Sequence, residues 1–183
     1  MGIAKSPVES ETTITELMIP AYANFGGKIH GGIILSMMDK VAFACATKHS
    51  GMYCVTVSVD NVEFMQPVDV GELVSMYARV NYVGRSSIVV GIKVVSENVK
   101  ERHVKHTNTS YFTMVAKDDE GKPATVPELI LESGNEIRRF IEAIVRKENK
   151  QNFNKEMQHV KERFNLTGEV NKLKDERCVI RIE

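Results

Sequence analysis

NFGGKIHGGIILSMMDKVAFACATKHS, residues 24–50, decides how the rest of the chain is read. Ile33, Ile34, Met37, Met38, Val41, Ala42, Cys45 and Ala46 recur at helical spacing. The spacing predicts a helix from Gly32 to about His49, ended by Ser50-Gly51 with Gly51 as its cap. A helix with so few polar positions is expected to be buried on most sides. Asn24 to Gly32 forms a loop with four glycines that runs straight into it. Free N–H groups and a partial positive end mark a helix start, and glycine lets a ligand approach the backbone closely. The segment is therefore either a flexible lead into a helix or a cradle for an oxyanion or a polarised carbonyl. No Gly-Lys-Ser/Thr follows, so it is not a phosphate-binding P-loop.

Outward from this segment the pattern is β. Thr12–Ile19 is a short β-prone stretch before the loop. After the helix, Val55, Val57 and Val59 alternate with Thr56, Ser58 and Asp60, and Val62 and Phe64 then fall on the other parity. That slip predicts a bulge near Asp60-Asn61. Pro67–Glu72 reads as a turn, Leu73–Val83 as a strand and Gly84-Arg85 as a turn. Ser87–Glu97 is a strand with Ile88, Val90, Ile92 and Val94 on one face, and Val104–Lys117 is another. One apolar helix followed by consecutive strands predicts an α+β fold with the helix packed on one curved antiparallel sheet.

Composition changes near Ser133. Residues 1–132 carry 12 Lys/Arg and 15 Asp/Glu, whereas residues 133–183 carry 12 and 9. Such charge density does not support a separate core. Glu136 to about Phe164 is expected to be an added helix with an apolar stripe at Ile137, Phe140, Ile141, Ile144 and Val145. The expected organisation is a domain over 10–130, a charged helix over 133–165 and a weakly specified tail over 166–183, where Cys178–Ile182 is a short strand or irregular. Truncation after Glu132 is expected to alter oligomer size.

The 24 basic and 24 acidic residues balance to zero net charge, which argues against a nucleic-acid binder. Cys45, Cys54 and Cys178 are too few and scattered for a disulfide framework or a zinc site, so a reducing, cytoplasmic setting is expected. There is no apolar run of 18 residues to span a membrane and no secretory leader pattern in Met1–Glu11. The five histidines lack metal spacing, so no metal is expected. No Gly-x-Ser-x-Gly elbow occurs, and Cys45 reads as core.

Asp39 lies about two turns into the apolar helix. A carboxylate there is either functional or sits on the helix's one polar edge with Ser36 and Lys40. Gly84-Arg85-Ser86-Ser87 reads as a solvated hairpin turn that also has the groups to hold a phosphate.

Taken in order, Met18-Ile19-Pro20, Asn24, His30-Gly31-Gly32, Met38-Asp39, Val55–Asp60, Phe64 with Pro67-Val68 and Gly71, Gly84–Ser87, Phe112–Val115, Gly121, Pro123 and Val126-Pro127 resemble the hot-dog-fold acyl-CoA thioesterases. Their bacterial broad-specificity and brain-type cytosolic members are the nearest in kind, and the charged extension is similar to that of the brain-type ones. The resemblance implies a long central helix wrapped by a curved antiparallel sheet, and hydrolysis of fatty acyl-CoA to free acid and CoA without a cofactor. It places the catalytic pair at Asn24 and Asp39, from opposite subunits of a homodimer. It puts the thioester at the Gly31 and Gly32 N–H groups, and CoA contacts at His30, Thr56, Arg85, Ser86 and Ser87. The implied assembly is a trimer of dimers, a hexamer. Its partners are acyl-CoA and further copies of the chain, with neither nucleic acid nor membrane. One departure is Tyr22, where several relatives carry an acid. The alternatives are a hot-dog hydratase or dehydratase using His30, and a non-enzymatic acyl-CoA sensor whose basic helix engages a partner.

Overall fold

Strand β1 (Thr12–Leu17) enters at one edge of the sheet, and helix α1 (Gly31–Ser50) follows it. Then come β2 (Tyr53–Val59), β3 (Leu73–Val83), β4 (Ser87–Asn98), β5 (His103–Lys117) and helix α2 (Gly134–Arg163). The computed structural model describes residues 4–181. The five strands pair antiparallel, in the order β1-β3-β4-β5-β2, so β1 and β2 form the two edges.

Alternation along β3, β4 and β5 sends Val74, Met76, Ala78 and Val80, then Ile88, Val90, Ile92 and Val94, then Phe112, Met114 and Ala116 to one face. Helix α1 lies on that face and meets it with Ile34, Met37, Met38, Val41, Ala42, Cys45 and Ala46. Each large side chain removed from water here contributes roughly 1.5–3 kcal/mol, and this packing holds α1 in place. Gly51, at φ 70°, caps the helix with its N–H on the Thr47 carbonyl, as the sequence predicts. The exposed edge of α1 carries Leu35, Ser36, Asp39, Lys40 and Phe43, so the helix is buried on fewer sides than its composition implies.

The register slip falls inside β2, between Thr56 and Ser58, rather than at Asp60-Asn61. The valine alternation hides it because Val57 itself turns outward, and pairing continues past β2 with the Asp60 N–H on the Tyr111 carbonyl (2.9 Å).

By its contacts the chain parts into two units between Ala143 and Ile144. The composition shift at Ser133 precedes that point because the first turns of α2 belong to the sheet. Glu136 pairs with Arg79, and the Phe140 ring lies 4.8 Å from that of Tyr82. In the second unit the helix continues to Arg163, and Cys178–Arg181 forms no strand. Ile182 lies outside the described residues.

Candidate functional site

The start of α1 is set by His30, whose ring Nδ1 accepts from the Gly32 N–H at 2.9 Å. The ring therefore carries any neutral-state proton on Nε2. A Cβ on Gly32 would stand 2.9 Å from that ring, so a glycine is required for the cap to close. The Phe64 ring lies over Gly31, 3.2 Å from where its Cβ would be. Of the two N–H groups assigned to a thioester, that of Gly32 is already taken by His30. Among the described residues no group accepts from the Gly31 N–H.

Asn24 opens the loop before the helix. Its Oδ1 accepts from the N–H groups of Gly26 (2.9 Å) and Lys28 (3.2 Å), and its own N–H donates to the Lys28 carbonyl (2.7 Å). Two backbone donors require the oxygen to face the loop, so the Nδ2 amide is the end available to a ligand, as a donor.

The loop is clamped from behind by charges that the sequence did not single out. Lys28 pairs with Asp69, Lys105 reaches Asp69 Oδ2 at 3.7 Å and Glu72 Oε1 at 2.9 Å, and Ser96 Oγ donates to Glu72 at 2.6 Å. Glu72 is 4% exposed. Burial by itself would raise its pKa, but hydrogen bonds from Lys105 and Ser96 outweigh it and hold the carboxyl below the ordinary value. The hydrogen bond from Lys28 does the same for Asp69. These residues lie in a turn and two strands, far from Lys28 in sequence, and no local pattern marks them. Tyr22 turns its hydroxyl onto Glu16 (2.6 Å), which pushes its pKa up.

Asp39 sits on the exposed edge of α1, about two turns from its start, and its Oδ1 accepts from Thr56 Oγ1 at 2.5 Å. The structure thus joins two of the predicted site residues, one on α1 and one on β2. No hydrogen bond links Asn24 to Asp39 among the described residues. Around the Asp39–Thr56 pair the surface is apolar: Leu35, Phe43, Tyr53, Val57 and Val59 are all 37–63% exposed.

The turn between β3 and β4 serves structure first. Carbonyls of Arg85, Ser86 and Ser87 accept from Val126, Ala116 and Gly84 N–H groups (3.0, 3.0 and 2.8 Å), while the Arg85 side chain is exposed. Cys45 is fully buried, and burial pushes its thiol up to about 12, which suits a core residue and no nucleophile.

The thioesterase superfamily model matches residues 26–102. Protein VdlD of Helicobacter pylori is 47% identical over 132 residues, covering 72% of this chain and 75% of that protein. A crystal structure of an apo-hexameric acyl-CoA thioesterase superposes with a TM-score of 0.79 at 34% identity, covering 82% of this chain and 96% of that one. An acyl-CoA hydrolase of Staphylococcus aureus, solved with butyryl-CoA, CoA and CoA disulfide, superposes with a TM-score of 0.78 at 31% identity, covering 87% and 97%. Matches at this identity, spanning nearly the whole of both solved chains, carry more than a likeness of fold. The chain therefore belongs to the thioesterase superfamily, among its hot-dog acyl-CoA thioester hydrolases.

Proposed function

We propose that the chain hydrolyses fatty acyl-CoA to free fatty acid and CoA at a site shared by two subunits, with Asn24 from one and Asp39 from the other. The observation that carries this is the Asp39–Thr56 hydrogen bond. It holds one carboxylate oxygen and leaves the other open, on an exposed apolar edge next to the sheet's β2 margin. A long exposed edge strand bearing tyrosine and valine invites pairing with another chain. A second copy seated there would bury Tyr53, Val57 and Val59 and bring its own Asn24 loop to Asp39. Spacing supports the assignment. In further structures of the S. aureus hydrolase an asparagine, an aspartate and a threonine were each replaced by alanine, and they stand as far apart in sequence as Asn24, Asp39 and Thr56 do here. The hexameric relative supports assembly of such dimers into a trimer of dimers.

The chemistry follows from the free atoms. The Gly31 N–H and the Nδ2 of Asn24 donate to the thioester carbonyl and to the oxyanion that develops on it. Asp39 Oδ2 takes a proton from water, whose oxygen bonds to the carbonyl carbon. The tetrahedral species collapses with cleavage of the carbon–sulfur bond. The CoA thiolate leaves and takes the proton held by Asp39, which restores the carboxylate, and the carbonyl carbon ends as a carboxylic acid. Thr56 holds the carboxylate in one orientation, so its contribution to CoA binding is indirect. His30 serves as the helix cap, which removes the hydratase's candidate base from service. Arg85, with Ser86 and Ser87 beside it, meets the CoA phosphates. No cofactor takes part, and the free buried cysteines support a cytoplasmic setting.

The test is thiol release from acyl-CoAs of increasing chain length by the wild type and by Asp39→Asn and Asn24→Ala. Both variants are expected to lose turnover while folding normally. Turnover retained in Asp39→Asn sinks the mechanism, and single-turnover hydrolysis in heavy-oxygen water that labels Asp39 replaces general-base attack by direct nucleophilic attack. Activity restored on mixing the two inactive variants, by a hybrid dimer with one intact site, is the signature of shared sites.

A further inference from the structure

The face of the sheet turned away from α1 carries a cavity of about 390 Å³, under the first turns of α2. Its floor is two cross-strand rows. Arg79, Gly91 and Tyr111 stand opposite one another on β3, β4 and β5, and Thr13, Tyr77, Lys93 and Thr109 form the next row. The middle strand has no side chain at Gly91, and the Asn81 amide takes that place. A Cβ there would stand 2.3 Å from Asn81 Nδ2 and 3.3 Å from the Tyr111 ring. A glycine within a strand commonly marks a place where another group must come close. Arg138, Arg139 and Glu142 of α2 form the wall, fixed to the sheet by the Glu136–Arg79 pair and the Phe140–Tyr82 contact.

The charge in this hollow does not balance. Four cationic side chains line it, Arg79, Lys93, Arg138 and Arg139, against the carboxylates of Glu11 and Glu142. Arg79 is engaged by Glu11 (2.8 Å) and Glu136, and Arg138 by Glu142. Lys93 and Arg139 have no carboxylate partner among the described residues, and the Nε–H of Arg79 is buried without an acceptor. Like charges in a concave site focus a positive potential, and a guanidinium fork matches an oxyanion.

We propose that this cavity is a second ligand site, binding a small molecule through a phosphate or carboxylate group held by Lys93 and Arg139, with Tyr77 and Tyr111 flanking its body. It stands on the opposite face of the sheet from Asp39 and needs no second subunit. The ligand ties β4 to α2, so binding also steadies the first turns of that helix.

The test is calorimetric titration of the full-length chain, free of CoA, with inorganic pyrophosphate and, separately, succinate. Binding of either is expected, weakened about tenfold or more in the double variant Lys93→Glu/Arg139→Glu. Both substitutions fall on side chains with no carboxylate partner among the described residues, and an unchanged unfolding temperature confirms the fold. Pyrophosphate alone binding identifies a phosphate ligand, and succinate alone a carboxylate. The absence of heat with both at millimolar concentration, or undiminished binding in the double variant, overturns the proposal.

Discussion

Helix α1 buries nine of its 20 residues, whereas α2 buries two of its 30, Glu136 and Ala143. The first is built by what surrounds it: apolar side chains at helical spacing meet a curved sheet, and its exposed edge is left to Asp39. The second is built largely from within, by good helix formers and by pairs one turn apart such as Arg138–Glu142 and Gln158–Glu162. Near its start it is tied to the sheet. The Glu136 carboxylate accepts from the N–H groups of Glu132 (2.7 Å) and Ser133 (3.0 Å) and pairs with Arg79, while Phe140 meets Tyr82. A helix made by tertiary packing holds a side chain to a fixed place, as catalysis needs. A helix made by local pairing is free to carry charge to a surface.

The largest effect that tests this contrast is on the rate. Asp39→Asn is expected to cut turnover by about a thousandfold, read as thiol release, with little change in unfolding temperature because the residue is exposed. A collapse of stability instead would make Asp39 part of the packing that builds α1. Next in size is packing itself. Met38→Ala empties a fully buried position and is expected to cost about 2–5 kcal/mol in denaturant titration. Ile141→Ala, at a position 54% exposed on α2, is expected to stay within about 0.5 kcal/mol in the monomeric unit. A large cost there shows that the stripe of α2 is covered by another chain, and a smaller sedimenting species after truncation at Glu132 says the same.

Between these lies the clamp behind Asn24. On the proposed function, Lys105→Met loosens the Lys28–Asp69–Glu72 arrangement and lowers kcat about tenfold or more with little change in KM, and Lys105→Arg restores most of it. Both carboxyls titrate below their ordinary values, so the clamp is intact at neutral pH and is lost as pH falls through those lowered values. Activity that follows Lys105 charge without any such acid limb counts against it.

A smaller effect concerns His49 at the end of α1, fully buried with Nε2 3.0 Å from the Pro127 carbonyl and Nδ1 unpartnered. Burial depresses its pKa below the ordinary 6.5. Lys5 lowers it further, while the Pro127 carbonyl and Glu9 pull it up. A depressed pKa contributes stability that is complete above the unfolded value and lost as pH falls toward the folded one. The unfolding temperature is expected to hold above about pH 7 and to drop below about pH 6, a drop that His49→Gln reduces. The smallest effect is a contrast of reactivity: a thiol reagent is expected to modify exposed Cys178 at once, and Cys45 and Cys54 only on unfolding.

The α+β order, the two helices and the bounds of the main strands are legible along the chain, because period and turn chemistry are local. The sequence also marked the glycine-rich loop and, through its apolar neighbours, Asp39, while Asn24 was named by the family resemblance alone. Which side each residue presents depends on the folded arrangement. It turned Asn24 Oδ1 into its loop, gave the Gly32 N–H to His30 and paired Asp39 with Thr56 from a strand 17 residues on. It moved the β2 slip to Val57 and assembled the charges behind Lys28 from a turn and two strands. It also formed the cavity between the sheet and α2, which exists only once three strands align and α2 passes over them. Hydrogen bonds and ion pairs between distant residues leave no periodic trace, because they depend on which strand lies beside which.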